Sequence, residues 1–441
     1  MVIDRFEKIT LASIPKEGLV FKGYKKHIIQ DLEIKPVNTC YHLEIWRDSD
    51  GKYHYGQLPD YLQRTDFGPK LKQYILYQYH HAHVTQPLLL EQLHELGIRI
   101  SSGQLSNLLT HNHDRFHREK EDLLVKALQC SGYLQTDDTG TRHQGNNGYC
   151  TFIGNDVFSY FTSTSSKSRI NFLQALSVHP SYVFNGFAME YMTSQGLGPK
   201  HFNVVDQMEE RFADQAALQL KLEKLKVSKH AIKIMTEAAL LGGLTEKGLS
   251  EKQVILSDDA GQFKVLKHAL CWVHIERNLQ KIHTYTTQQR NQLDQVLQAF
   301  WELYQLMKTY QGNPSQKLKQ ECLESFQSIC DWQTDWIALK KGLSKLKTYK
   351  DEMLVVLEHP QVPLHNNQSE RDIREFVKKR KISGSTRSEQ GRKARDTFAS
   401  LKKTSRKLNI SFWDFLFDRI TDAKHIEYLP EIMKRKGNPT S

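Results

Sequence analysis

The sequence predicts an α/β protein with a β-sheet of mixed strand direction. Three short runs rich in β-forming residues support this prediction: GYLQTDD (132–138), GYCTFIGNDVFSYFTST (148–164) and KQVILSDD (252–259). A mostly helical stretch, from about 167 to 248, separates the first two runs from the third. Strands that alternate with helices in this way are typical of α/β sheets.

Length and composition limit the class of protein. The chain has 441 residues, which is too many for one compact core, so we expect two to four structural units. Its 39% hydrophobic and 25% charged residues are typical of soluble globular proteins. No apolar run approaches the roughly 20 residues that span a bilayer, and the N-terminal segment lacks the apolar stretch of a secretion signal. We therefore expect a cytoplasmic protein with no membrane contact.

The N-terminal part is predicted to contain a small β-hairpin followed by helices. The run TCYHLEIWRDSDGKYHYGQLP (39–59) indicates a strand, a turn and a second strand. The run PLLLEQLHELGIRISSGQLSNLLTHNH (87–113) indicates a helix, a break at Gly97 and a second helix capped at Ser101 or Ser102. This pattern fits a DNA-binding helix-turn-helix and an ordinary helical hairpin equally well.

The C-terminal half is predicted to be mostly helical. Apolar residues in LDQVLQAFWELYQLM (293–307) recur at helical spacing. We divide the chain into a small β-containing segment (1–65), a helical region (66–130), the first part of the sheet with its helical excursion (131–275), an all-helical insertion (276–358), a last helix with a basic stretch (359–425) and a tail (426–441). Six scattered cysteines without a C-x-x-C pair argue against a disulfide framework and against a cysteine-rich zinc site.

Positive charge is concentrated near the C-terminus. The formal net charge is +11, and the stretch from Arg371 to Lys407 holds fourteen Lys or Arg against four Asp or Glu. A basic face of this kind suits a polyanion, and nucleic acid is the foremost candidate. The alternative is a solvated helical surface, in which balancing acids would be expected.

Two Asp-Asp pairs end β-rich runs, at 137–138 and 258–259. A single pair of this kind is more simply explained as a turn in which the first Asp caps the next element. Two such pairs also fit carboxylates that hold divalent cations for phosphoryl transfer. Glu370 is a candidate third acid on a helix that Asn366 or Asn367 can cap, although it could equally form a solvent-facing ion pair with Arg374.

Three motifs in this order resemble a DDE transposase of the insertion sequence 66 family. They are TDDT (136–139), LSDDAGQF with LCWVHIERNL (256–279), and LHNNQSERDIREFVKKRKISGSTRSEQGRKARDTFASL (364–401). The resemblance runs from about 69 to 420. It implies an RNase H-like α/β catalytic core with a helical insertion, preceded by a small β segment and a helix-turn-helix-like region. It also implies an enzyme that cuts DNA at transposon ends and joins the 3′-OH to target DNA.

The resemblance assigns the site residues. It implies that Asp137, Asp258 and Glu370 are catalytic and hold two Mg²⁺ or Mn²⁺ ions, one serving the nucleophile and the other the leaving 3′-oxygen. Strand alternation favours these members of the Asp pairs, because Tyr133, Gln135 and Asp137 share one face. Five residues are expected to support the site: Asp138, Asp259, His274, Arg277 and Asn367. The expected DNA contacts are Arg371, Arg374, Lys378, Lys379, Arg380, Lys381, Arg387, Arg392 and Lys393.

The expected partners are transposon terminal repeats, target DNA, a second copy of the chain, so that at least a dimer forms on DNA, and helper proteins encoded by the same element. The protein is then expected to be nucleoid-associated when it is bound to DNA. Two departures from the family pattern stand out: His365 replaces an Asp before the Asn pair, and Cys40 alone remains of an N-terminal zinc-finger-like segment, so no zinc is expected there. An inactive or domesticated DNA-binding relative and a metal-dependent nuclease on the same core are the alternatives.

Overall fold

The computed structural model describes residues 2–10, 17–63 and 65–437. Within the first two ranges the regular structure is a hairpin of β1 (Ile45–Arg47) and β2 (Tyr53–Tyr55), followed by one 3₁₀ turn at Asp60–Leu62. The Asp48 side chain accepts hydrogen bonds from the backbone N–H groups of Asp50 and Lys52. Gly51 has φ +82°, a conformation that glycine adopts without steric cost. These local interactions fix the turn of a hairpin whose strands are exposed.

Four helices precede the sheet: α1 (Pro69–His80), α2 (Gln86–Glu95), α3 (Ser102–Thr110) and α4 (Asp114–Cys130). Gly97 follows α2 with φ +78°. Ser101 caps α3, because its hydroxyl accepts a hydrogen bond from Gln104 N–H while the Gln104 side chain accepts one from Ser101 N–H. The helix break and the second cap therefore lie where the sequence indicated them.

Three antiparallel strands follow: β3 (Tyr133–His143), β4 (Asn146–Gly154) and β5 (Ser159–Thr164). The expectation that a strand ends at the first Asp-Asp pair is wrong. Strand β3 continues through Asp137 and Asp138 to His143, because β4 remains paired with it over that whole length. A partner strand therefore holds two residues of low β propensity in extended form.

The excursion between the strands is mainly helical. It contains α5 (Arg169–Leu176), β6 (Tyr182–Val183), α6 (Gly186–Ser194), α7 (Pro199–Val205), β7 (Arg211–Phe212), α8 (Gln215–Lys224) and α9 (Lys229–Glu246). Helix α9 is buried along most of its length, and β6 packs against it. Gly242 and Gly243 allow this approach, since a Cβ at either would lie about 2 Å from a backbone oxygen of β6 or its flank.

Strands β8 (Val254–Ser257) and β9 (Lys267–Leu270) complete a five-stranded sheet in the order β5-β4-β3-β8-β9. Both run parallel to β3. The result is a mixed sheet in an α/β fold, as the sequence predicted. One face packs against the excursion and α4 through Leu134, Ile153 and Ile255.

The remaining chain is helical: α10 (Trp272–Gln280), α11 (Thr287–Gly312), α12 (Gln316–Cys330), α13 (Ile337–Thr348), α14 (Lys350–Met353), α15 (Asn367–Ser383), α16 (Glu389–Lys407), α17 (Phe412–Thr421) and α18 (Leu429–Gly437). Helices α10 to α14 enclose their own apolar core around Trp272, Phe300 and Leu343. Helix α18 lies in the segment interpreted as a tail and packs on α4, with Leu429 and Met433 buried. Residues 438–441 of that segment lie outside the described residues.

Helix α16 covers the edge of the sheet. Along one face of the helix, Asp396, Ser400 and Thr404 accept hydrogen bonds from alternate N–H groups of β5 at distances of 2.7–3.1 Å. The helix thereby replaces the missing neighbour strand, which protects an edge that could otherwise pair with another chain. None of the helices in the described ranges is long and apolar enough to cross a membrane.

Candidate active site

Asp137 and Asp258 lie on one face of adjacent strands. Strand β3 pairs with β8 in a register that sets Gln135 beside Leu256. Each aspartate follows two residues later, so both point to the side that carries Gln135 and Leu256. This is the face on which α15 packs, because Phe152, the β4 partner of Asp137, contacts Ile373 and Phe376 of α15.

Glu370 comes from the first turn of α15. The segment before this helix is held at two points: Asn366 N–H donates to Cys271 Sγ at 3.2 Å, and Asn366 Nδ2 donates to the Thr136 carbonyl at 2.8 Å. The second bond ties the start of α15 to β3, one residue before Asp137. An acid in the first turn is also favoured by the positive end of the helix dipole.

Basic side chains surround the Glu370 carboxylate. His274 Nε2 and Arg277 Nη1 of α10 lie 3.6 and 3.7 Å from its Oε1, and Arg374 Nη2 lies 3.7 Å from its Oε2. These separations exceed hydrogen-bond length, and Glu370 Oε1 is a buried oxygen without a hydrogen-bond partner in the structure. His274 and Arg277, which the sequence interpretation assigned to support the site, thus lie beside the Glu370 carboxylate.

The neighbouring acids act electrostatically on Asp137. Burial is the largest cause that raises the pKa of Asp137 from 3.8 to about 7, and the negative charges of Asp258, Asp138 and Glu370 raise it further. A hydrogen bond from the Asp138 N–H acts in the opposite direction. A partly buried carboxylate whose ionisation is disfavoured by neighbouring carboxylates marks a position where a cation would be stabilising.

The donor chemistry fits a hard divalent cation, since the converging side chains offer carboxylate oxygens, among them the unpartnered Glu370 Oε1. The side chains are not yet arranged as a ligand shell. Among the described residues, no group of three or more His, Cys, Asp or Glu side chains is positioned to hold a metal ion. Binding a metal here would therefore require side-chain adjustment.

The second member of each Asp pair has other partners. Asp138 lies on the opposite face of β3, where it accepts hydrogen bonds from Thr151 Oγ1 (2.6 Å) and Gln262 Nε2 (3.0 Å). Asp259 pairs with Lys264, Lys345 and the Tyr349 hydroxyl of the insertion. Neither residue caps the next element. The turn explanation fits the first aspartate of the second pair, because Asp258 accepts a hydrogen bond from Ala260 N–H.

The sequence interpretation gave one contacting residue a different role and missed another. Asn366 rather than Asn367 ties α15 to the sheet, and it does so as a donor to β3 rather than as a side-chain cap of the helix. Gln262 holds Asp138. The paired asparagines were the available signal for the first residue, whereas nothing in the local sequence around Gln262 pointed to a distant aspartate.

The predicted DNA-contacting cations fall into three groups, which are exposed, half-buried and buried. Six of them are exposed: Arg371, Arg374, Lys378, Lys381, Arg387 and Lys393. Arg380 and Arg392 are half-buried, with Arg380 Nη1 3.4 Å from Thr139 Oγ1 of β3 and Arg392 paired with Glu389. Lys379 does not belong to this surface: it is buried, and its Nζ donates to the Tyr79 carbonyl at 2.8 Å.

The basic stretch is therefore not one surface. Arg395 and Lys402 are buried, and Lys403 and Lys407 form ion pairs with Asp372 inside the packing of α15 against α16. The spacing of charges along the sequence did not separate interior cations from surface cations. Only the exposed group presents its charges on the outer surface of the protein.

Comparisons with known proteins identify a family. The family model described as "Transposase IS66 family" matches residues 242–394, which include Asp258, Glu370 and all nine cations predicted to contact DNA. A relative from Sinorhizobium fredii, named "Uncharacterized protein y4jO", is 40% identical over 321 residues, covering 71% of this chain and 100% of that protein. The chain belongs to the IS66 transposase family. Membership implies a DNA-processing enzyme that binds DNA.

Proposed function

We propose that the protein is a DDE transposase that cuts DNA at transposon ends and joins the freed 3′-OH to target DNA. The observation that carries this proposal is that the charges of Asp258, which follows β8, and of Glu370, in the first turn of α15, raise the pKa of Asp137 in the adjacent strand β3. An exposed row of cations lies on the same helix as Glu370. The mixed sheet, in which β4 alone runs antiparallel to the other four strands, supports an RNase H-like core.

The proposed mechanism needs two Mg²⁺ or Mn²⁺ ions held by Asp137, Asp258 and Glu370, which would activate the attacking oxygen and stabilise the leaving 3′-oxygen. His274 and Arg277 position the Glu370 carboxylate by charge. Arg371, Arg374, Lys378 and Lys381, which lie along the exposed side of α15, bind the DNA phosphates and align the strand with the acids. Because joining involves two transposon ends, we propose that at least a dimer acts on DNA.

Replacement of Glu370 by Gln tests the catalytic assignment. The amide keeps the shape of the side chain but loses the charge, so strand cleavage with Mg²⁺ should fall at least 1,000-fold (on the order of a lost metal ligand) while DNA binding stays within about twofold. Glu389→Gln, at an exposed glutamate in the first turn of α16, is the matched control and should cleave normally. Cleavage by Glu370→Gln at the wild-type rate would remove Glu370 from the site.

The second candidate function is DNA binding without chemistry. The exposed cations of α15 would serve it as well, and the absence of a preformed metal-ligand group among the described residues favours it. Chelation separates the two, because a binding protein keeps its activity in EDTA and a transposase does not. A nuclease on the same core would cleave with Mg²⁺ but give no joined product with labelled ends and a target plasmid.

A further inference from the structure

A second concentration of charge lies on the side of α15 that faces away from Glu370. Asp372, Glu375 and Lys379 follow one another at helical spacing on that side, and they line a cavity with Arg395, Lys402 and Lys403 of α16. We call it the α15–α16 cavity. Its volume is about 20 Å³, room for one water-sized group, it opens to solvent, and His80 at the C-terminal end of α1 closes one wall.

Cations outnumber acids in this cavity. Four lysine and arginine side chains line it against two carboxylates, and both carboxylates are already occupied. Glu375 pairs with Lys402, with Lys403 at 2.7 Å and with Arg406 at 3.0 Å. Asp372 pairs with Lys407 at 2.6 Å and also accepts a hydrogen bond from Ser159 Oγ. The acids therefore leave Lys379 and Arg395 largely uncompensated.

Two side chains of the cavity wall have unpartnered nitrogen atoms. Arg395 is 8% exposed, and its Nε and Nη1 have no hydrogen-bond partner in the structure, although Asp396 Oδ1 lies 3.5 Å from Nε. Its guanidinium is held over the Phe376 ring at 4.7 Å and by a 3.0 Å hydrogen bond from Nη2 to Ser163 Oγ. His80, 6% exposed, has an unpartnered Nε2. Buried polar atoms are rarely left without a partner, so an acceptor is missing here.

The lysines have spare donors as well. Lys379 Nζ donates to the Tyr79 carbonyl and Lys402 Nζ to the His80 carbonyl, and each ammonium can donate three hydrogen bonds. Burial, with the nearby charge of Lys402, lowers the pKa of Lys379 from 10.5 to about 7, which reflects the same excess of positive charge. An anion in the cavity would accept hydrogen bonds from the spare donors and would raise the pKa of Lys379.

We propose that the α15–α16 cavity binds a tetrahedral oxyanion of the phosphate class. An arginine fork and two lysines offer several donors to a space the size of one oxygen atom that opens to solvent, which suits one oxygen of a phosphate whose other oxygens remain outside. The phosphate group could belong to the backbone of bound DNA or to a free phosphate. In either case it binds on the reverse side of the helix that carries Glu370, and its binding does not depend on DNA cleavage.

Calorimetric titration of the full chain with inorganic phosphate, at an ionic strength kept constant with chloride, tests this inference. We expect saturable binding of one phosphate and at least a tenfold weaker affinity in the double variant Lys379→Met with Arg395→Gln. The matched control is Lys224→Met with Arg290→Gln, whose side chains are exposed on other helices, and it should bind as the wild type does. Arg395→Lys retains the charge without the fork and should bind with intermediate affinity, which guards against misfolding of the double variant.

Two arms distinguish the sources of phosphate. If the site takes a backbone phosphate, inorganic phosphate competes with a DNA duplex, and Arg395→Gln lowers the slope of log affinity against log salt concentration by about one, whereas Arg395→Lys, which keeps the charge, leaves the slope unchanged. If it takes free phosphate, DNA and phosphate bind together. Absence of saturable binding would mean that water alone fills the cavity, and equal affinity of Arg395→Lys, the double variant and the wild type would mean that phosphate binds elsewhere; either result overturns the proposal.

Discussion

The environment of the site opposes ionisation of the Asp137 side chain. Its pKa is raised to about 7 by burial and by three neighbouring acids, whereas an unfolded chain would ionise it near 3.8. Folding therefore works against ionisation of this residue at every pH above about 4. A cation held by the same acids would remove that penalty, so the residue should link metal binding to stability.

The first prediction concerns Asp137→Asn in metal-free protein. Between pH 3.8 and 7 the folded state holds a proton that the unfolded state has lost, so the free energy of unfolding of the wild type falls as the pH rises through this range. The variant lacks this pH-dependent loss of stability. It should be more stable than the wild type by about 2–4 kcal/mol at pH 8, and the difference should vanish near pH 4. Urea unfolding in EDTA at both pH values measures it.

Addition of Mg²⁺ should reverse the order of the two proteins. The ion should raise the thermal midpoint of the wild type, and Asp137→Asn should show little response. Asp294→Asn, at an exposed aspartate of α11, is the matched control and should follow the wild type in both experiments. An equal Mg²⁺ response in all three proteins would argue against a metal at Asp137.

Strand geometry separates the carboxylate of Asp138 from that of Asp137. It is adjacent to Asp137 in sequence, yet its carboxylate lies on the opposite face of β3, where it accepts hydrogen bonds from Thr151 and Gln262. Strand alternation, which the sequence already suggested, separates the two carboxylates. What the sequence did not contain is the extent of β3 beyond them, because that depends on pairing with β4.

At the scale of elements, the start of α15 is the joint between the helix and the sheet. Asn366 is 2% exposed, and its Nδ2 bond to the Thr136 carbonyl connects the helix to β3 immediately before Asp137. The Trp272 N–H donates to the Leu364 carbonyl and anchors the same segment from α10. The distance between Asp137 and Glu370 thus depends on the short segment before α15 and not on the helix alone.

The second prediction is that Asn366→Ala lowers the free energy of unfolding by about 1–2 kcal/mol, because the buried Thr136 carbonyl loses its side-chain donor. Cleavage should fall at least tenfold, since a small displacement of Glu370 misaligns the site (an order-of-magnitude expectation). Asn367→Ala, one residue later, should change either quantity far less. Equal effects of the two variants on cleavage would contradict this account of the joint.

The third prediction concerns α16, which covers β5. In Ser400→Ala the Phe161 N–H loses its acceptor, so the free energy of unfolding should fall by about 1–3 kcal/mol. Ser328→Ala, at an exposed position of α12, should be neutral or slightly stabilising because alanine favours helix. If the edge protection is real, Ser400→Ala should also aggregate faster on mild heating, as followed by light scattering.

For the whole molecule, the distribution of positive charge decides which cations can reach DNA. The basic stretch contributes surface on α15 and interior ion pairs between α15 and α16, and the net charge of +11 does not distinguish the two. The exposed cations Arg371, Arg374, Lys378 and Lys381 lie at spacings of three and four residues, which keeps them along one side of the helix.

The fourth prediction follows from that row. Replacement of all four exposed cations by Gln should weaken DNA binding and reduce the slope of log affinity against log salt concentration by about 3–4, since each lost phosphate contact contributes roughly 0.9. Replacement of Lys224, Lys229, Lys252 and Lys317, which are exposed on other parts of the chain, should leave the slope within about one of the wild type. Filter binding from 50 to 300 mM salt measures both (a range chosen to span the Debye regime). An unchanged slope in the first variant would place the DNA elsewhere.

The sequence by itself determined the mixed α/β character, the helix break at Gly97, the capping of α3 and the family. These depend on short-range patterns, such as β-rich runs, glycine and capping residues, which act on the backbone close to them in sequence. It also supplied the candidate acids, because carboxylates at the end of apolar runs are unusual enough to stand out.

Only the tertiary structure decided where those residues lie. The register of β3 with β8 put Asp137 and Asp258 on one face, and Asn366 rather than Asn367 fixed the approach of Glu370. The same packing buried Lys379 and Arg395, which the charge pattern could not separate from the exposed cations. The physical reason is that burial and strand register arise from contacts between residues far apart in the chain, and such contacts leave no local trace in the order of amino acids.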